Sequence, residues 1–81
     1  MMIDSKHFRD MIKERNIPLD FVDMAIESPD FTEDKPDGTR HYLKKCENME
    51  GRWLWVVVNE QKNPKQRITA FFDRRLRRKS K

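Results

Sequence analysis

The longest apolar run of the chain, residues 53–58, stands out in a sequence that is 40% charged. Its branched and aromatic side chains favour the extended backbone of a β-strand. Because both faces of such a strand would be apolar, the run predicts a central strand that the rest of the chain covers on both sides. Alternation along the strand places Trp53, Trp55 and Val57 on one face and Leu54, Val56 and Val58 on the other.

Two short amphipathic helices are predicted before this strand. The first begins after a capping residue, Asp4 or Ser5, and ends near Arg15. The second has Pro18 in its first turn and ends at Ser28, ahead of another proline. Helices of about three turns are not stable alone, so both are expected to pack on the sheet. Their inner faces are marked by Phe8, Met11 and Ile12 in the first helix, and by Phe21, Val22, Ala25 and Ile26 in the second.

From Phe31 onward the pattern changes to that of strands separated by turns. Proline, glycine and asparagine clusters give the turn positions. The sequence therefore predicts an α+β fold in which the two N-terminal helices pack on one face of a three- to four-stranded antiparallel sheet. The predicted strands are residues 31–35, 39–47, 52–58 and 67–72, separated by turns at Pro36-Asp37-Gly38, 48–51 and 61–65.

The helices are expected to cover the face of the sheet that contains Leu54 and to leave the other face open. Two tryptophans and a phenylalanine form a large apolar patch for a monomer to expose. The open face is therefore where a partner or ligand is expected. Its predicted members are Trp53, Trp55, Val57, Arg67, Thr69 and Phe71, whereas the covered face carries Leu54, Val56, Val58, Ile68, Ala70 and Phe72.

Length and composition fit one small domain at residues 1–73, followed by a basic tail at residues 74–81. The single cysteine, Cys46, cannot form an internal disulfide, which favours a reducing, cytoplasmic setting. No apolar run is long enough to cross a membrane. One cysteine, two separated histidines and two glycines give neither a zinc pattern nor a phosphate-binding loop, so no metal or other cofactor is expected.

The formal net charge of +4 is unevenly distributed along the chain. Residues 73–81 carry a net charge of +5, whereas the preceding part of the chain carries −1. A cationic end favours nucleic-acid phosphates as partners, and the arginine fork matches phosphate oxygens. The alternative is a solvated tail that improves solubility.

Short motifs follow one another along nearly the whole chain. They are His7-Phe8-x-x-Met11-Ile12-x-Glu14-Arg15-Asn16-Ile17-Pro18, the break at Pro29-Asp30, Gly38 before Tyr42, the apolar residues 55–58, and Ile68-Thr69-x-Phe71. This order resembles that of a family of small bacterial proteins of unknown function, in which a histidine begins the first helix and a Glu-Arg-Gly-Ile type motif ends it. That family is similar to the BrnT toxins and more distantly to the RelE and ParE toxin superfamily.

The resemblance implies a helix-helix-sheet fold of the RelE type. For some relatives it also implies cleavage of RNA, on the ribosome or as a free ribonuclease, with a small antitoxin protein covering the site. This chain departs from the family pattern at two positions. Met11 stands where many members carry an arginine, which removes a phosphate contact, and Asn16 replaces the usual glycine, which is a mild change because asparagine tolerates the left-handed conformation.

Metal-independent RNA cleavage needs a base for the 2′-hydroxyl, cations for the phosphorane and an acid for the leaving oxygen. Histidine changes charge near neutral pH, which makes His7 the first candidate and His41 a weaker one, although either can also be an ordinary solvated side chain. Arg15 is expected to pack its stem over the core and to pair with a carboxylate. The candidate catalytic residues are His7, Arg67 and Arg74, and the candidate RNA-binding residues are Arg40, Tyr42, Lys44, Arg75 and Arg77.

The leading hypothesis is a toxin-like RNA-binding protein, and the sequence leaves open whether it cleaves RNA. The alternative is a non-catalytic interaction module that forms a homodimer, or binds another protein, through Trp53, Trp55 and Phe71. The charge of −1 outside residues 73–81 favours the alternative, because a nuclease groove is normally positive.

Overall fold

The computed structural model describes residues 2–47 and 51–73. Within these ranges, the chain forms two helices and a five-stranded sheet, which confirms the predicted α+β class. At nine residues each, the two described helices lack the length and apolar character that crossing a membrane requires. The elements are β1 (Ile3–Asp4), α1 (Lys6–Glu14), α2 (Leu19–Glu27), β2 (Phe31–Asp34), β3 (Thr39–Cys46), β4 (Arg52–Asn59) and β5 (Gln66–Asp73).

The sheet has the strand order β1-β5-β4-β3-β2. Strands β2 to β5 form an antiparallel meander in chain order, as the turn signals predict. The predicted limit of four antiparallel strands is wrong, because β1 adds a fifth strand that runs parallel to β5. The two residues of β1 pair with Gln66 and Arg67, and a segment this short has no periodicity by which to recognise it.

The helix boundaries agree with the sequence signals. The Ser5 hydroxyl accepts a hydrogen bond from the Phe8 N–H at 2.9 Å, which caps the first turn of α1. Two residues beyond the end of α1, Asn16 takes the left-handed conformation with a φ of 55°. Pro18 is the N-cap of α2 and Ser28 is its C-cap. The chain therefore turns between the two helices where the sequence predicts.

Both helices pack on the face of the sheet that contains Leu54, as predicted. Helix α1 lies against β5, whereas α2 lies against β4 and β3. Removing these apolar side chains from water is the main stabilising contribution to such a fold. The buried residues of this core are Phe8, Ile17, Val22, Ala25, Tyr42, Cys46, Leu54, Val56, Val58 and Ala70.

A β-bulge in β5 changes the face on which Arg67 lies. Val57 and Val58 are consecutive in β4, but their partners in β5 are Thr69 and Arg67, so Ile68 is the extra residue. Arg67 therefore shares the helix-covered face with Val58. The prediction that Arg67 lies on the open face is wrong, because simple alternation does not hold across a bulge.

The face of the sheet without helices is covered by its own aromatic side chains, and we call it the aromatic face. Phe31 lies against Trp53 with ring centroids 5.6 Å apart, and Trp55 stacks on Phe71 at the same separation. Leu43, which pairs with both Phe31 and Trp55, is fully buried. Trp53 retains only 7% exposure, so the prediction that it lies open to a partner is wrong. Trp55 and Phe71 remain half-buried.

Candidate functional site

An open groove of about 730 Å³ lies between α1 and the strands β4 and β5. Helix α1 forms one wall, and the C-terminal half of β5 together with the start of β4 forms the other. We call it the α1–β5 groove. Its lining residues are His7, Met11, Arg15, Arg52, Thr69, Phe71 and Phe72.

Hydrogen bonds at both ends hold α1 along β5. The Ser5 N–H donates to the Arg67 carbonyl at 3.0 Å, and the Arg15 guanidinium donates to the Ala70 carbonyl at 3.1 Å. Strand β1 pairs with β5 only at Gln66 and Arg67, so beyond these residues no described strand lies on the outer side of β5, opposite β4. The groove therefore lies beside the part of β5 that no longer pairs with β1 and packs against α1 instead.

The groove contains two arginines that are not neutralised by any carboxylate of the described residues. Arg15 and Arg52 form no salt bridge within residues 2–47 and 51–73. Within these residues, the prediction that Arg15 pairs with a carboxylate is therefore wrong. Arg15 uses one N–H for the Ala70 carbonyl, and a guanidinium has five. No carboxylate of the described residues occupies the remaining donors of Arg15 or the Arg52 head group, so an anion can bind to them.

Arg67, a predicted catalytic residue, is held by two carboxylates instead. Its guanidinium forms salt bridges with Asp4 of β1 and Asp23 of α2, and its side chain is 14% exposed. The guanidinium carbon lies 5.1 Å from the centre of the Phe8 ring. Arg67 therefore ties β1, α1, α2 and β5 together, and it does not line the groove that contains His7.

The predicted RNA-binding residues Arg40, Tyr42 and Lys44 lie on β3, away from the groove. Arg40 pairs with Asp34 at 2.6 Å, and this hydrogen bond raises the pKa of Arg40. The ring of Tyr42 is part of the core, and its hydroxyl donates to Glu60 at 3.0 Å. Burial, followed by the contact with Glu60, raises the pKa of Tyr42.

Lys44 lies 4.0 Å from Asp30, with its side chain 23% exposed. The structure therefore does not bring the three β3 residues together with His7. Arg74, Arg75 and Arg77 fall outside the described residues, so these three predictions concern a part of the chain on which the structure gives no information.

Arg15 and Arg52, the two arginines of the groove, are not among the catalytic or RNA-binding residues that the sequence predicts. Arg52 immediately precedes the tryptophan strand, and alternation from Leu54 places it on the helix-covered face, where α1 lies. That signal is present in the sequence. The contact between Arg15 and β5 is not, because it depends on how the helix sits on the sheet.

A row of three aromatic rings crosses the aromatic face and ends at the groove. His41 of β3 meets Trp55 of β4 edge-on, with ring centroids 5.6 Å apart. Trp55 in turn stacks on Phe71 of β5, with an angle of 16° between the ring planes. Since Phe71 also lines the α1–β5 groove, the row and the groove share a side chain.

The fold and the site together define a small α+β protein with a cationic groove at one edge of its sheet. Residues 5–72 match the model of a protein family described as a domain of unknown function (DUF4258). The chain belongs to this family. No curated protein and no solved structure matches the chain.

Proposed function

We propose that this protein is a toxin-like RNA-binding protein that binds the RNA backbone in the α1–β5 groove and cleaves it without a metal ion. The observation that supports the proposal is the pair of arginines, Arg15 and Arg52, which have no carboxylate partner among the described residues and line one groove with His7. The sequence motifs resemble those of a family that is similar to the BrnT toxins and more distantly to RelE, and this expected relationship favours the same function.

The three side chains fill two roles in the proposed reaction. His7 accepts the proton of a ribose 2′-hydroxyl, whose oxygen then attacks the neighbouring phosphorus. Arg15 and Arg52 stabilise the negative charge that develops on the phosphorane oxygens. The bond from phosphorus to the 5′-oxygen breaks and that oxygen takes a proton from water. The hydroxide that is left takes the proton held by His7, which restores the neutral histidine. The products are a 2′,3′-cyclic phosphate and a 5′-hydroxyl.

Three variants test the proposal, with cleavage and binding measured separately in the presence of a metal chelator. His7→Ala is expected to lower the rate of RNA cleavage by about 100-fold or more while leaving affinity for RNA within about twofold. Arg52→Ala is expected to weaken binding by about tenfold, because it removes a charged hydrogen bond to phosphate. His7 is exposed and Arg52 forms no described salt bridge, so we expect neither variant to disturb the core.

Arg9→Ala provides the matched control. Arg9 lies on the same helix as His7, is exposed and does not line the groove. Its loss therefore removes the same charge as the loss of Arg52, but at a site outside the groove. We expect this variant to bind and cleave RNA almost as well as the parent protein. Equal losses in the Arg9 and Arg52 variants would show that the protein responds to overall charge and would refute a specific role for the groove.

A further inference from the structure

We propose that the α1–β5 groove binds single-stranded RNA, and that one RNA base stacks on Phe71. The base would continue the row of rings formed by His41, Trp55 and Phe71, which we call the aromatic row. The inference rests on the proposed function. The inference adds to that function the class of RNA that is bound and the position of one base. The two arginines of the groove account only for binding of the phosphates.

The aromatic row has the geometry of a stack that ends at Phe71. The Phe71 ring lies 16° from parallel to the Trp55 indole, with centroids 5.6 Å apart. Trp55 is held on its other side by His41, which meets it edge-on at 5.6 Å. Three neighbouring strands therefore each contribute one ring, and β5 contributes the last.

The far side of Phe71 has no strand beside it. Strand β1 pairs with β5 at Gln66 and Arg67 only, so at the level of Phe71 no described strand continues the sheet. Phe71 is half-buried and lines the groove. A planar ring placed there extends the stack on one side and faces the groove on the other.

The charges beside this position select the kind of ligand. Arg15 and Arg52 offer cationic hydrogen-bond donors that suit an anion, and Phe71 offers a flat aromatic surface. Single-stranded RNA has phosphates and unpaired bases along the same chain, and stacking of bases on aromatic side chains is a general feature of its recognition. In a duplex the base faces are already stacked on one another, so only the phosphates could bind. A protein partner would cover the apolar rings but would need its own acidic groups for the two arginines.

A fluorescent base analogue tests stacking in the parent protein. The probe is a ten-nucleotide RNA that contains 2-aminopurine and has 2′-O-methyl groups, which prevent cleavage. We expect its fluorescence to fall when the full-length protein binds, because 2-aminopurine is quenched when it stacks. The same strand in a duplex is expected to bind more weakly. Binding without quenching, or equal binding of the duplex, would overturn the inference.

A pair of variants identifies Phe71 as the stacking residue. Phe71→Leu keeps an apolar side chain but removes the ring, and Phe31→Leu does the same at the opposite edge of the aromatic face. We expect Phe71→Leu to weaken binding of a ten-adenosine RNA by about tenfold, whereas Phe31→Leu changes it by less than about twofold. Circular dichroism melting curves verify that both variants are folded.

An abasic oligomer of the same length separates this inference from the proposed function. Its affinity is expected to depend on Arg52 and not on Phe71. If the abasic and adenosine oligomers bind equally and both depend on Arg52, stacking is refuted and the proposed function stands. If neither binds, both are refuted. A stable dimer in sedimentation experiments, with Trp55 protected from quenchers, would refute RNA stacking in favour of a protein interface on the aromatic face.

Discussion

At the scale of single residues, His41 and Trp55 are unusual because each has a buried ring nitrogen without a described hydrogen-bond partner. The atoms are Nδ1 of His41 and Nε1 of Trp55. Leaving a buried polar group unpaired costs about 1–3 kcal/mol. Burial lowers the pKa of His41, the charge of Lys35 lowers it further, and Glu33 and Asp37 oppose the shift. The neutral form of His41 is therefore the one that suits the folded protein.

This lowered pKa predicts that the protein becomes less stable as the pH falls below neutrality. Between the unfolded-state pKa of about 6.5 and the lower folded-state pKa, His41 binds a proton in the unfolded chain but not in the folded one. The free energy of unfolding therefore decreases as the pH drops through this range. His41 is only partly buried, so we expect a decrease of about half a kcal/mol between about pH 7.5 and pH 5.5. Urea unfolding at the two pH values measures it.

The variant His41→Phe is the control for this pH dependence. It keeps a ring beside Trp55 and cannot take up a proton, so the decrease is expected to disappear. Asp34, Asp37 and Glu60 have lowered pKa values and titrate below this range, so they do not contribute to it. An unchanged pH dependence in His41→Phe would assign the effect to another group.

At the scale of secondary-structure elements, Arg67 connects four of them: β1, α1, α2 and its own strand, β5. Its carboxylate partners belong to β1 and α2, and its guanidinium lies over Phe8 of α1. Arg67→Met keeps the length of the side chain but leaves Asp4 without its partner. We expect it to lower the free energy of unfolding by about 2–3 kcal/mol. Arg40→Met is the matched control, because the Arg40–Asp34 pair is exposed to solvent and is expected to contribute little to stability.

The same variant tests whether Arg67 belongs to the site. We expect folded Arg67→Met to bind and cleave RNA at rates close to those of the parent protein, because Arg67 does not line the groove. Binding and cleavage measured well below the melting temperature of the variant verify this. A variant of normal stability that failed to cleave RNA would restore Arg67 as a catalytic residue and refute its structural assignment.

Arg67 also shows which parts of the fold follow from the sequence and which do not. The helices and the meander were predictable because capping residues, turn residues and apolar periodicity act locally. The bulge at Ile68 was not, because an extra residue in one strand is visible only against the partner strand. Strand β1 was missed because its two residues are defined only by pairing with β5.

The candidate site also has features that follow from the sequence and features that do not. The histidine of α1 follows from the helix pattern, and alternation along β4 was enough to place Arg52 beside Leu54 under the helices. The sequence could not show that Arg40 and Arg67 pair with carboxylates, whereas Arg15 and Arg52 have no carboxylate partner within residues 2–47 and 51–73. In the sequence, all four arginines are equivalent candidates for binding an anion. Only the packing of the helices and strands distinguishes them.

At the scale of the whole molecule, positive charge is concentrated at the C-terminus. Residues 74–81 contain six of the eighteen Lys and Arg residues and no acidic residue. The rest of the chain has a small net negative charge. All seven salt bridges among the described residues involve cations that lie outside the groove. If the groove determines what is bound, the tail contributes a non-specific attraction to polyanions and little selectivity.

Replacing Arg74, Arg75 and Arg77 together by glutamine in the full-length chain tests this division. The net charge falls from +4 to +1, and each lost phosphate contact reduces the slope of log affinity against log salt by about 0.7 for single-stranded RNA. We expect the slope to decrease by up to about 2 and affinity to fall equally for adenosine and abasic oligomers. The tenfold effect of Phe71→Leu on adenosine RNA is expected to persist in this background, because stacking does not depend on salt contacts. If the triple variant instead binds both oligomers alike and no longer responds to Phe71→Leu, the tail, rather than the groove, positions the RNA base.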